Sequence, residues 1–393
     1  MTAGNTPVRA ADWGVRLAVM LTGLFAFLQV YSVQAVLPFL MRDLAAGEVE
    51  AGLAVGATVA GVDLVSPIII KKKNAFGRKR FIVGSLLFLA VPTALLGWSD
   101  SMREMMMWRL LQGVAVPGIT VVLIAYVGEE FEGALMTRLM GLYVAGTVLG
   151  GFLGRFLLGH LNDWLGWRQG FWIMAAFSAL GALFVRQRLP ESRRFEAKPD
   201  FQTALSTLYG HLHNPYVLTA CLLGACVLYS LVGCFTYINL HLADTPYRLG
   251  SSDLANLFAV YLIGMVITPL SSRLIGRWGS AKTVMGAVLL SALGVVGTLA
   301  APLWLIVLSL AAMSSGVFIA QAATISYIAA YVSQGRSLAS GLYYAAYYGG
   351  GTLGAWLCGL AYAYGRWQTV VLMLLAVQAA ALAVAAKGMR KAV

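Results

Sequence analysis

The sequence predicts an all-α membrane protein, with twelve transmembrane helices in two pseudo-symmetric six-helix bundles. Three observations point there. Of 393 residues, 60 % are hydrophobic and 11 % charged, whereas soluble domains carry roughly 25 % charged residues. The apolar runs repeatedly reach about 20 residues, the length that crosses a hydrocarbon core of ~30 Å as a helix. Finally, "GLYVAGTVLGGFLGRFLLG" (141–159) returns as "GLYYAAYYGGGTLGAWLCG" (341–359), matching at 10 of 19 positions without a gap.

Apolar runs between charged or turn-rich breaks place spans at 17–40, 51–70, 80–98, 105–127, 138–159 and 167–186, then 217–240, 254–275, 282–301, 303–327, 338–362 and 367–387. The first run is too long for a signal-peptide core and is expected to stay as a span. At "LAAPLWL" (299–305), Pro302 is nearly the only break marker. The expected organisation is a bundle over 1–186, a linker over 187–215 and a second bundle over 216–393. In the linker, Phe201, Ala204, Leu205, Leu208 and Leu212 recur at helical spacing, suggesting a short surface helix. The repeat lays span 5 over span 11, a pattern of transporters whose halves rock about a central site. Gly141, Gly146, Gly150, Gly151, Gly154 and Gly159 give span 5 a smooth face, for close packing or for sliding.

The net charge is +12. Cations in a membrane protein report topology rather than nucleic-acid binding. With the N-terminus in the cytoplasm, 21 of the 28 Lys and Arg residues lie on the cytoplasmic side, 5 outside and 2 within spans. Both termini are therefore expected in the cytoplasm. The block "IIIKKKNAFGRKR" (68–80) becomes the short loop after span 2, set against anionic lipid. The four cysteines fall inside apolar segments and the four histidines are scattered near loops. No metal constellation, nucleophile–base spacing or phosphate loop is present, so neither an enzyme nor a cofactor is expected.

Few polar residues lie within the spans. Asp63 is the one carboxylate among them, and such a residue is expensive unless used. Two roles are open to it: carrying a coupled proton, or a structural acid capped by Ser66 or a cation. Arg109 and Arg155 cannot shed their charge and need acceptors or a solute anion. Together they favour an anionic or zwitterionic solute, or a cavity acid held between them. Candidate polar lining for a substrate comes from Gln29, Tyr31, Gln34, Tyr237, Asn239, Gln321, Tyr343 and Tyr347, with Tyr344 and Tyr348 beside the last two. Glu129, Glu130, Arg138 and Arg336 are placed to form a cytoplasmic gate between the halves.

Several motifs resemble the major facilitator superfamily: "GRKR" (77–80), "RLLQG" (109–113), "GTVLGG" (146–151), "LPESRRF" (189–195) and "FTYINLHLADTPYRLG" (235–250). They resemble most its bacterial arabinose-efflux-permease-like, drug–proton exchanging branch. That resemblance implies two six-helix bundles, alternating access, and proton-coupled export of a small molecule from the bacterial cytoplasmic membrane by a monomer. It links Arg109 to proton coupling and adds Asn74, Gly77 and Arg78 to the gate. Asn74 stands where the family carries aspartate, so a weaker inner latch is expected. Facilitated transport, uptake and a transporter-like sensor are the competing readings.

Overall fold

Inside a bilayer each peptide N–H and C=O must be satisfied within its own segment or a closed sheet. The computed structural model describes residues 12–71, 77–192, 209–332 and 334–389, and among these every regular element is helical. Asn74 and the surface helix expected from Phe201 to Leu208 lie outside the described residues.

Helix α1 (Trp13–Val30) starts on Asp12, whose Oδ1 accepts from the Val15 amide at 2.8 Å. It ends in a 3-10 turn (Ser32–Val36) that leads into α2 (Leu37–Asp43). The first crossing is therefore broken near its middle, where apolar length predicts one continuous span. Then come α3 (Glu48–Lys71), α4 (Arg78–Leu96), α5 (Met102–Glu130), α6 (Gly133–Leu165) and α7 (Trp167–Arg188). The second half holds α8 (Pro215–Ala243), α9 (Ser251–Leu257), a 3-10 turn (Phe258–Leu262), α10 (Ile263–Gly297), α11 (Leu303–Tyr331) and α12 (Arg336–Gly388). Pro302 is the N-cap of α11, so that single marker does divide two spans.

Ten of these helical runs are long and apolar enough to cross a membrane. Two are too long for one crossing. At 1.5 Å per residue, the 53 residues of α12 would reach about 80 Å. Its backbone leaves helical geometry at Gly365 and Arg366, and α10 does so at Gly279. Counting the pieces on either side gives twelve crossings.

The repeat is also present in the backbone. Among the described residues, those with positive φ fall into four pairs: Ala45 (48°) with Arg248 (51°), Gly77 (79°) with Gly279 (75°), Gly133 (58°) with Gly335 (61°), and Gly166 (87°) with Arg366 (57°). Each pair is separated by 200–203 residues. The same left-handed turns end equivalent helices in both halves. Within the repeat, added Cβ atoms at Gly146, Gly150 and Gly154 would strike the α1 backbone at Met20, Leu24 and Leu28. Gly350 and Gly354 meet Ala225 and Tyr229 of α8 in the same way. These glycines bring backbones into contact within each half, so they serve packing rather than a free sliding face.

The ends holding Trp13, Gly133 and Gly388 are here called proximal, and those holding Asp43, Gly166 and Gly365 distal. One apolar core joins the distal parts of both halves through Leu28, Val55, Leu158, Leu254 and Phe258. The proximal part of the first half has its own core, with Val19, Ile82, Leu123 and Leu139. The halves grip one another distally, while the proximal part of the first half packs on itself.

Candidate functional site

The polar residues of the spans divide between a distal seam and the walls below it. Arg109, on α5, is fully buried. Its Nε donates to Ala54 O at 3.1 Å, Nη1 donates to Gln29 O and Gln112 Oε1 at 2.6 Å each, and Nη2 donates to Val30 O. The last carbonyls of α1 lack intrahelical partners because the helix stops at Val30. The guanidinium caps that break. It neither snorkels nor offers a free fork to a solute.

Arg155, on α6, is 2 % exposed. Its Nε and Nη2 both donate to Gln34 Oε1, at 2.8 and 2.7 Å, and Nη1 donates to Gly151 O at 2.5 Å. The guanidinium carbon lies 4.5–4.8 Å from the ring centroids of Tyr31, Phe258 and Tyr261, within cation–π range. Gln34 continues the bridge, its Nε2 donating to Thr236 Oγ1 at 2.9 Å. Asn239 Nδ2 donates to Gln34 O at 2.9 Å, and the Tyr237 hydroxyl donates to Ala355 O at 2.6 Å and to Glu48 O at 3.3 Å. The structure thus unites Tyr31, Gln34, Arg155, Tyr237 and Asn239, but as a seal between halves.

Two other lining candidates are placed elsewhere. Gln29 donates to Ser178 Oγ at 3.0 Å and packs toward α7 inside the first half. Tyr343 turns against Gly224 of α8, and its buried hydroxyl has no hydrogen-bond partner among the described residues. Helical periodicity placed both on polar faces without revealing which neighbour those faces met. Tyr347 is buried near Tyr31, and Gln321 is half-buried on α11. Tyr348 approaches Tyr31, Tyr143, Tyr344 and Asp63, while Tyr344 is 40 % exposed. Tyr143, Tyr344 and Tyr348 therefore form one aromatic group that spans the two halves.

Asp63 lies where the α3–α12 contact starts to loosen. A Cβ on Gly349 would stand 3.6 Å from its Oδ2. It is half-buried and makes no hydrogen bond or ion pair among the described residues. Ser66 does not cap it, since that hydroxyl donates to Val62 O at 2.6 Å.

Of the expected gate, the contacts seen among the described residues lie within one half. Arg78 pairs with Glu129 through contacts of 2.6 and 3.0 Å, and both belong to the first half. Gly77 supplies the left-handed residue that starts α4. Glu130 is buried at the end of α5. Arg336 donates to Val332 O at 2.7 Å within its own half. Arg138 is exposed and, with Arg16, Gly141 and Leu142, lines a recess at the open proximal end.

Residues 19–251 match the family model of the Major Facilitator Superfamily. The chain belongs to this superfamily. An uncharacterized transporter of Buchnera aphidicola subsp. Schizaphis graminum is 29 % identical over 352 residues, covering 89 % of this chain and 85 % of that protein. Multidrug resistance protein 1 of Bacillus subtilis is 27 % identical over 248 residues, covering 61 % of each. Among solved structures, a bacterial homologue of the human lysosomal transporter Spinster, inward-facing and unoccupied, superposes with TM-score 0.77 and 18 % identity, covering 97 % of this chain and 99 % of that one. As a superfamily member the chain is a multi-pass membrane transporter for a small molecule, and not an enzyme.

Proposed function

We propose that this transporter exports a small anionic or zwitterionic amphiphile from the bacterial cytoplasm in exchange for protons, by alternating access. The observation that carries the reading is Asp63. An unpartnered carboxylate inside a span is costly unless it is used, and this one stands where the two halves begin to separate. Cation placement orients the path: 21 of 28 Lys and Arg residues fall on one side when the proximal end is cytoplasmic. The state described is then open to the cytoplasm, with both termini there. A single chain contains both halves, which supports a monomer as the working unit.

The solute class follows from charge and shape. Arg109 and Arg155 are held by neutral acceptors and rings, with no carboxylate among their partners. Their positive potential therefore persists at the distal end of the cavity, in a medium that screens poorly. An anionic group is favoured there, and an ammonium beside Asp63 completes a zwitterion. Tyr344 and Tyr348 stack with ring centroids 6.3 Å apart and offer flat apolar faces with hydroxyls. Similarity to a multidrug resistance protein supports the outward direction.

Proton release from the purified protein, titrated with a panel of amphiphilic anions, zwitterions and cations, tests the reading. Release on ligand addition is expected in the wild type and should vanish in Asp63→Asn. Binding without proton release in the wild type would favour facilitated transport and return Asp63 to a structural role.

A further inference from the structure

One corner of the distal seam is closed by a carboxylate that nothing above uses. At the end of α6, Asp163 reaches across to the start of α9 in the other half. Its Oδ1 accepts from the Ser251 hydroxyl at 2.5 Å and its Oδ2 accepts from the Ser252 amide at 3.0 Å. Ser251 Oγ is also 2.7 Å from Gly159 O, and it accepts from Asn162 Nδ2 at 3.0 Å. Gly159 allows this approach, because a Cβ there would run into Ala255 and the Ser251 carbonyl.

The first N–H groups of a helix have no intrahelical acceptor, and a side-chain oxygen normally supplies one from the residue just before. Gly250 is that residue here and has no side chain to offer. The acceptor comes instead from the opposite half of the molecule. Such a cap holds only while the halves touch, and it is strongest when the carboxylate is charged.

We infer that Asp163 is a positioning residue of the transport cycle, a detachable cap that locks the distal gate shut for as long as its carboxylate is charged. Asp163 is exposed, so that side's water reaches it. Protonation turns one acceptor oxygen into a donor facing donors, and the cap lets go. No ion pair joins Asp163 among the described residues. On its own helix, Asn162 belongs to the network, while His160 turns its Nδ1 to Phe156 O at 2.9 Å and its ring onto Phe156. On the facing segment, Asp253 and Arg248 are exposed and make no contact with it. Arg168, past the next turn, is engaged by Ser99 O and Asp100. The inference rests on the alternating-access reading: the cap must let go each time the path opens to the distal side.

Spin-label distances test it on the full chain, with Cys221, Cys226, Cys234 and Cys358 replaced by alanine. One label pair, Arg103→Cys with Trp304→Cys, spans the distal ends. A second, Ala134→Cys with Ala330→Cys, spans the proximal ends. All four positions are exposed. Asp63→Asn serves as background, so that any remaining pH response belongs elsewhere. On acidification the long distal distance should gain population while the proximal one shortens. Adding Asp163→Asn should raise the long distal population about tenfold at neutral pH, a factor in keeping with loss of one charged hydrogen bond, and should abolish the response to pH. Ser251→Ala should shift populations in the same direction while folding normally, as judged by an unchanged proximal core in melting. A pH response that persists with Asp163→Asn, or that is already absent from the Asp63→Asn background, overturns the cap. Distances that never change in any variant, at any pH or with any solute, overturn alternating access itself.

Discussion

The distal seam has two corners related by the internal repeat, and they are closed by different physics. At one, α6 meets α9: Gly159 admits the helix and Asp163 caps it from across the seam. At the other, α12 meets α3: Gly359 packs on Val49, Gly52 and Gly56 pack on Ala355 and Thr352, and the Tyr237 hydroxyl is bolted into Ala355 O and Glu48 O. Gly159 and Gly359 are equivalent in the repeat, yet position 155 is arginine where 355 is alanine, and 163 is aspartate where 363 is alanine. One corner is polar and titratable. The other is steric and insensitive to pH. A gate needs one side to act as hinge and one as lock, and the divergence of the two copies supplies that division.

The steric corner should be the more sensitive to added volume. In Gly52→Ala, the new methyl would overlap the Tyr237 hydroxyl and the Ala355 carbonyl, and a backbone carbonyl cannot swing away. Overpacking of this kind costs roughly 1–3 kcal/mol. The expected result is a widened distal spacing at every pH, read from the same distal label pair. A normal distance would show that this corner is slack. Tyr237→Phe should have a smaller effect. It removes one hydroxyl and leaves Ala355 O without that donor, a loss of about 1 kcal/mol for a neutral hydrogen bond. Its thermal melting point in detergent should fall by a few degrees, with the pH response of the gate intact. Loss of that pH response would mean that the two corners are not separable.

The spans, the repeat and the break at Pro302 were legible because they depend only on local composition: apolar length, glycine spacing and a missing N–H. The interruption of α1 at Tyr31 was not, since "LQVYSVQAVLP" contains no Gly before Pro38 and reads as continuous. That interruption is held open from outside, by Arg109 some 80 residues away. The same limit explains the site. Periodicity puts Gln34 on a polar face, but its partners Arg155 and Thr236 lie 121 and 202 residues away. Asp163 went unsuspected because "GSSD" (250–253) looks self-sufficient as a helix start. The signal was faint: Asn162 and Asp163 follow the repeat glycine Gly159 by about one turn, and the second copy has Tyr362 and Ala363 in their places.

The smallest effect is expected at the exposed edge of the steric corner. Arg366 lies 3.5 Å from Glu48 and over the Tyr362 ring at 5.8 Å, and it is the charge that most resembles a latch by inspection. Its side chain is 63 % exposed, and Glu48 is 31 % exposed. Ion pairs of that kind are worth ~0–1 kcal/mol and are weakened further by salt. Arg366→Ala should therefore leave both label distances and the pH response within error of wild type, at low and at high ionic strength. Its backbone is the more informative feature. Arg366 occupies the left-handed region at φ 57°, where its repeat partner is Gly166, so Arg366→Gly should match or exceed wild-type stability. A large, salt-dependent opening in Arg366→Ala would instead make this corner a second electrostatic lock, with its acid, like Asp163, carried by the first half.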